Sequence, residues 1–269
     1  MDELVIIRGG GDLATGVAQK FFRTGFNVLI LETDSPTAIR RTVALCDAVY
    51  KGSAMVEDML CRRIDNGSQM NESWANGEIP LIIDPMGEII NKLRPNAVID
   101  AIMAKRNINT TREMAPITIA LGPGFVAKAD VDFVIETQRG HDLGRLIMEG
   151  SALPNTGVPG LVGGQSKKRV IHAEQSGIIK HRLNIGDITQ AGEVLFYIDE
   201  NAVKAPFSGL VRGLIANNML VKKGTKVADI DPRTDVNVYT ISDKARCIGG
   251  AVLEAFFHKR AANAKKGDA

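Results

Sequence analysis

Three consecutive glycines, Gly9, Gly10 and Gly11, lie between the apolar run Leu4-Val5-Ile6-Ile7 and a stretch of helical spacing, Asp12 to Phe22. With Ala14 they fit the turn G-x-G-x-x-G/A. Its glycines let the backbone approach a pyrophosphate and leave N–H groups aimed at it from a helix N-terminus. A second apolar run, Phe26 to Leu31, closes on Glu32, about 20 residues on, where a dinucleotide fold places the carboxylate that accepts a ribose hydroxyl. The chemistry offered is anion binding through main-chain amides, with Asp12 opening the helix and Glu32 on the sugar. A carboxylate there favours an unphosphorylated ribose, and Arg40 and Arg41 soften that preference. The alternative for the same residues is a turn that only packs strand on helix.

Other apolar runs also end in polar groups. Ile79 to Ile83 ends in Asp84, Ala97 to Ile99 in Asp100, Ile117 to Leu121 in Gly122-Pro123-Gly124, and Val131 to Ile135 in Glu136. In an open parallel sheet the carboxyl ends of the strands form the rim where ligands bind, so these groups would face one crevice. Lys105 is a candidate phosphate contact, and Asp84 and Asp100 taken singly fit the plainer role of helix caps. The glycine- and proline-rich segment Leu121 to Gly164 adds Arg139 and Arg145 as anion clamps and Asn155 and Thr156 as donors in a tight turn. In it His141 and Glu136 are the candidate acid and base, the imidazole being the side chain that titrates near neutrality.

The elements that must position these groups read as strand and helix in alternation. Ser35-Pro36 opens a short helix over 37–42, 43–50 is a strand, 57–64 a helix, 66–76 a surface excursion holding the single Trp74, and a helix runs from Asp84 to about Leu93. From about Lys168 the chain turns to short β-rich runs that repeat. Residues 172–199 and 204–231 share a small residue, Ser-Gly, two apolar residues, a Gly-Asp or Gly-Thr turn and a closing Ile-Asp. This resembles the barrel-sandwich hybrid of biotinyl and lipoyl carriers. A carrier lysine must stand on a hairpin tip, however, and Lys204 lies beside Ala205-Pro206, so a swinging-arm carrier is rejected. The tail from Ser242 reads as a helix with Ala245, Ile248, Val252, Leu253, Phe256 and Phe257 on one face, fraying from Ala261. The expected fold class is α/β: a Rossmann-like, mostly parallel sheet domain over 1–165, a small all-β barrel-sandwich hybrid over 166–235, and a C-terminal helix over 236–260 returning to the first domain.

In 269 residues, 33 Lys and Arg nearly balance 31 Asp and Glu, which gives nucleic acid no basic surface. There is no basic and apolar leader and no apolar run of membrane-spanning length, so a cytoplasmic, non-membrane protein is expected. Cys46, Cys61 and Cys247 are odd in number and widely spaced, which supports neither a disulfide framework nor a metal site. Nothing in the sequence excludes a homo-oligomer.

The order GGGDLATGVA, AIRRTVALCDAVY, ALGPGF, VIETQRGHDLGR, PNTGVPG, DIDPR and ISDKARCIGGAVLEA is similar to the maturation-protein family of selenium-dependent molybdenum hydroxylases, itself distantly similar to xanthine dehydrogenase accessory factors. The resemblance implies a cytosolic accessory factor that acts on a molybdenum hydroxylase client or its molybdopterin cofactor. NAD(P) and a molybdopterin dinucleotide share a pyrophosphate, so the glycine turn suits either. Two functions are therefore expected: a cofactor-binding maturation factor, with the small domain docking the client, or an NAD(P)-dependent oxidoreductase acting on a small molecule. A covalent handover of sulfur or selenium would need a thiol, Cys46 or Cys247.

Overall fold

The first apolar run forms strand β1 (Leu4–Arg8), the stretch after the glycines forms helix α1 (Asp12–Arg23), and the second run forms β2 (Asn27–Glu32), parallel to β1 with Ile6 opposite Leu29. This is a computed structural model that describes residues 3–158 and 160–267. The chain divides into two units. One holds Met1–Pro36, Ala44–Asn155 and Ile241–Ala269, and the other holds Thr37–Val43 and Thr156–Thr240.

In the first unit β3 (Ser53–Val56) and β4 (Met59–Arg63) pair as an antiparallel hairpin. Strands β5 (Ile79–Ile83), β6 (Ala97–Asp100), β7 (Thr118–Leu121) and β8 (Phe133–Ile135) run parallel with β1 and β2, and β9 (Leu146–Ile147) turns back antiparallel on β8. The nine strands lie in the order β3-β4-β5-β2-β1-β6-β7-β8-β9, so the order reverses at β1 and a topological switch point falls between β1 and β6.

The expected Rossmann-like domain is corrected here. The sheet is large and mixed, with antiparallel pairs at both ends. After α1 the linking helices α2 (Ala48–Lys51), α3 (Met70–Ala75) and α4 (Ile90–Leu93) have only one or two turns, too few to layer a sheet face. Local expectations change as well: 45–51 is helical where a strand was expected over 43–50, and 53–63 is a hairpin, which takes up most of the helix expected over 57–64. Tertiary bonds decide the hairpin. Glu57 sits at its tip with φ 52°, and its carboxylate accepts from Gln19 Nε2 at 2.6 Å and from the Ile241 N–H at 2.9 Å. Trp74 is pinned through Nε1–H to the Val28 carbonyl.

Helix α5 (Asp243–Gly267) continues past Ala261 and crosses α1 at backbone contact. A Cβ on Gly249 would stand 2.3 Å from the Gly16 carbonyl oxygen, and one on Gly16 would stand 2.4 Å from that of Ala245. The two glycines therefore permit the close approach that Gly249 costs in helix propensity. Beside the crossing, Phe21, Phe26 and Phe256 meet edge to face at 5.1–5.5 Å.

The second unit consists of two four-stranded antiparallel sheets. One takes β10 (Val170–His172), β17 (Lys226–Asp231), β15 (Gly209–Leu214) and β12 (Ile188–Thr189). The other takes β14 (Asn201–Lys204), β13 (Val194–Ile198), β11 (Gly177–His181) and β16 (Leu220–Val221). The two sequence copies exchange strands: β12 of the first copy pairs with β15 of the second, and β16 of the second pairs with β11 of the first. The repeated Ser-Gly and Ile-Asp meet within each copy. A Cβ on Gly177 would strike the Asp199 carboxylate, and one on Gly209 would strike the Asp231 carbonyl oxygen.

The expected biotinyl- or lipoyl-type hybrid is also corrected. The β13–β14 link is the two-residue turn Asp199-Glu200, and Lys204 pairs with Val194 inside the ladder and so stands on no hairpin tip. Segment 37–43, far away in sequence, completes this unit through the Leu214 N–H to the Ile39 carbonyl and Arg41 Nε to the Leu214 carbonyl.

Candidate functional site

At the glycine turn the close approaches are made by other parts of the chain. The Gly9 N–H donates to the Leu31 carbonyl at 2.7 Å and the Gly10 N–H to Glu32 Oε2 at 2.7 Å, while the Gly10 carbonyl accepts the Cys46 N–H at 2.9 Å. A Cβ on Gly9 would lie 3.0 Å from the Ala101 oxygen, and one on Gly10 would lie 3.0 Å from Cys46. Only Gly11 faces open space, with nothing within 4 Å of a built Cβ, and it begins α1 without a side-chain cap. Asp12 occupies the first turn. Glu32 is tied down on both oxygens, Oε1 taking the Thr33 N–H at 2.8 Å. Burial pushes its carboxyl up, and the Thr33 and Gly10 bonds pull it back.

The next strand ends hold a side-chain-braced turn and a buried polar chain. Asp84 accepts the N–H groups of Gly87, Glu88 and Ile89, which fixes the turn ahead of α4; α4 itself has no side-chain cap, so the helix-cap role expected of Asp84 is corrected. Asp100 accepts the Ile102 N–H at 3.1 Å and the Thr110 hydroxyl at 2.6 Å. Opposite Asp100 in the sheet register stands Arg8, 1 % exposed, which donates to Thr110 Oγ1, Asn109 Oδ1 and the Pro85 carbonyl. Its Nε has no hydrogen-bond partner among the described residues. Burial pushes the Arg8 guanidinium down, against Asp100 and then Asp84, and burial pushes Asp100 up. Sequence reasoning missed Arg8, Asn109 and Thr110. The signal that could have found the first is a lone arginine ending a strand of apolar residues.

Segment 101–110 runs along this rim. A Cβ on Gly122 would meet Thr137 and Met103, and one on Gly124 would meet Lys105 and Arg106 at 2.6–2.7 Å. Those glycines thus make room for the segment, in which Met103 and Lys105 hold left-handed φ of 62° and 63°. Lys105 is exposed beside Gly124.

The groups expected to clamp and catalyse are mostly engaged with other parts of the chain. Glu136 is buried, and its oxygens accept the Gln138 N–H at 2.7 Å and the Leu153 N–H at 2.8 Å. Arg139 forms a two-bond pair with Asp243 at 2.9 and 3.0 Å, and Arg145 lies 3.7 Å from Asp142. His141 is exposed. In the second unit, Thr156 makes a local turn with Val158. Asn155, the last residue of the first unit's central segment, is exposed. The structure therefore brings Gly9, Gly10, Gly11, Glu32 and Asp100 to one rim. Arg139, Arg145, Asp142 and Glu136 lie together on the loop around β9.

Among the described residues no group of three or more His, Cys, Asp or Glu is placed to hold a metal ion. Cys46 is buried, and its thiol is pushed well up by burial and then by Glu32 and Asp47, which leaves no thiolate for transfer chemistry. Cys247 is exposed, its Sγ–H donating to the Leu143 carbonyl.

No protein-family model matches the chain. In sequence, 254 residues are 46 % identical to an uncharacterized protein, YqeB, of Escherichia coli (strain K12), covering 94 % of this chain and 47 % of that protein. The chain thus spans about half the length of the curated relative it matches. Solved structures similar to it include the product-bound ectoine utilization protein EutE (DoeB) from Ruegeria pomeroyi (10 % identity, 85 % of each chain, TM-score 0.27). A succinylglutamate desuccinylase from Silicibacter sp. TM1040 matches at 13 % identity over 85 % of this chain and 84 % of that one, TM-score 0.27. A succinylglutamate desuccinylase/aspartoacylase from Rhodobacter sphaeroides matches at 11 % identity over 85 % of each chain, TM-score 0.27. None of the proteins found is named as a molybdenum hydroxylase accessory factor, so the resemblance carried by the motif order is withdrawn. The maturation role, selenium and molybdopterin fall with it. A TM-score of 0.27 is too low to transfer a reaction from any of the three. Among the described residues no helix is long and apolar enough to cross a membrane.

Proposed function

We propose that the first unit binds a small phosphorylated ligand of the NAD(P) type at the sheet rim, with one phosphate over Gly11. The observation that carries this reading is the start of α1, which has no side-chain cap and opens on a glycine with clear space above it, next to the switch point between β1 and β6. The Gly10 N–H is already held by Glu32, so the phosphate meets Gly11 and the first-turn amides only, a smaller cradle than a full dinucleotide turn. With both Glu32 oxygens on backbone N–H groups, the carboxylate holds the turn in shape instead of sorting NAD from NADP. Lys105 and Arg106, exposed on the rim segment, supply the cationic side.

Titration calorimetry with NAD, NADP and AMP tests the reading. Binding to the wild type and its loss in Gly11→Val is the expected result. Gly11 has φ −66° and ψ −179°, which valine adopts without strain, so the variant fills the space and costs at most about 1 kcal/mol as a poorer cap. No heat from any of the three ligands, or equal affinity in the variant, would remove the proposal.

A further inference from the structure

A second cavity lies at the other end of the same sheet. β6, β7 and β8 run parallel to β1, so Asp132, which precedes β8, stands on the rim opposite Gly9, which follows β1. The cavity, about 420 Å³, is lined by Arg112, Lys128, Asp132, Phe133, Met148 and Lys259. That volume suits a small organic molecule.

Its charges do not balance. Asp132 is buried, and its Oδ2 is committed to the sheet, accepting the Thr118 N–H at 3.0 Å and the Thr118 hydroxyl at 3.3 Å. The other oxygen, Oδ1, is shared by two cations, Lys259 Nζ at 2.8 Å and Arg112 Nη2 at 3.1 Å. Burial alone would raise this carboxyl, but the Lys259 and Thr118 bonds and the neighbouring cations hold it below its ordinary range. One carboxylate oxygen cannot use all the donors of an ammonium and a guanidinium. The third cation, Lys128, pairs with Glu149 at 2.9 Å, and both side chains are largely exposed, so it can swing inward at little cost. Of the charged groups that line the cavity, then, three are cations and one is a carboxylate, with Arg112 Nη1 also donating to the Lys128 carbonyl at 2.8 Å.

The rest of the wall is apolar. Phe133 is fixed edge-on against the His258 ring at 5.7 Å, and Met148, 47 % exposed, is a flexible thioether that can fold over a bound group. Cations at one side and an aromatic face with a mobile methionine at the other make an amphipathic lining.

We propose that this cavity is a binding site for a small amphipathic organic anion, a carboxylate or phosphate head on an apolar body. The head is taken by Arg112, Lys128 and Lys259, and the body lies between Phe133 and Met148. The site is independent of the glycine turn, lying across the sheet from it.

NMR of methyl-labelled protein tests this, with the Met148 signal assigned through Met148→Leu and with benzoate, hexanoate and inorganic phosphate as probes. Saturable shifts of the Met148 methyl with benzoate and hexanoate are expected, and inorganic phosphate should bind at least about tenfold more weakly for want of an apolar body. Arg112→Gln together with Lys128→Gln should weaken benzoate roughly tenfold or more, the loss of charge-assisted hydrogen bonds. Lys128→Gln alone leaves Asp132 with both of its cations, so it reports even if the double variant does not fold. Gly11→Val should leave benzoate binding unchanged, which separates this site from the nucleotide reading. The proposal is overturned if neither organic anion gives a saturable shift. Undiminished affinity in the charge variants, or inorganic phosphate binding as tightly as benzoate, would overturn it too.

Discussion

Adjacent glycines in α5 offer a test of the helix crossing, because only one of them touches α1. A Cβ at Gly249 would lie 2.3 Å from the Gly16 oxygen and 2.8 Å from its carbonyl carbon, whereas one at Gly250 would have nothing within 4 Å. Since Cβ contacts under 3.0 Å do not occur, Gly249→Ala must part the two helices by about 0.7 Å at the crossing, a strain of the overpacking kind. The clash is with backbone, which cannot swing aside as a side-chain end could. Overpacking costs about 1–3 kcal/mol, and replacing a mid-helix glycine by alanine returns about 1 kcal/mol. Gly249→Ala should therefore lose up to about 2 kcal/mol, and Gly250→Ala should gain about 0.5–1 kcal/mol. Urea unfolding followed by Trp74 fluorescence reads the first unit, because that residue is the only tryptophan and hydrogen-bonds to Val28 within it. In a thermal scan the pair should straddle the wild type, at roughly 2–4 °C per kcal/mol. Equal stabilisation by both alanines would refute the backbone contact between α1 and α5.

Two further outcomes follow from burial and charge. Of the three cysteines, only Cys247 should react with a thiol reagent in the native protein, Cys46 and Cys61 being buried with thiols pushed up by that burial; fast native labelling of Cys46, read by mass, would contradict this packing. Asp132 has a folded pKa below its unfolded one, so its contribution is complete above the unfolded value of about 3.9 and is lost as pH falls through the folded value. Asp132→Asn should cost about 2 kcal/mol at neutral pH and flatten the acid limb of a stability profile below about pH 5. Parallel wild-type and variant profiles would show that the carboxylate is not the linked group.

Much of the β framework is legible in the amino-acid sequence. The runs ending at Ile7, Leu31, Ile83, Ile99, Leu121 and Ile135 lie in β1, β2, β5, β6, β7 and β8, because central parallel strands need continuous apolar sequence whatever surrounds them. Most of the apolar face of the tail helix is legible too, with Ala245, Ile248, Val252 and Phe256 buried, while Leu253 is half-buried and Phe257, expected on the same face, is exposed. The excursion between β2 and β5 is not. Residues 53–63 form a hairpin at the sheet edge, and bonds from Gln19 and Ile241 to Glu57 hold its tip, partners remote in sequence and invisible to local pattern. At the rim, Glu32, Asp84, Asp100 and Glu136 are recognisable as strand-end acids. Each is bonded to nearby backbone or hydroxyl groups, because a buried carboxylate is costly without such donors.

By itself the sequence determined where the central apolar strands and the tail-helix face lie, and that residues 172–199 and 204–231 are two copies of one unit. Those features depend on neighbours a few residues apart, or on a repeat that needs no partner to be seen. Tertiary structure alone decided that Gly9 and Gly10 are covered by Ala101 and Cys46 while Gly11 stays open. It also decided that Arg8 lies buried against Thr110, and that Arg112, Asp132 and Lys259 meet in one cavity. Each of these outcomes depends on groups brought together from distant parts of the chain, and whether a polar group is spent on its own protein or left for a ligand is set by what packs against it.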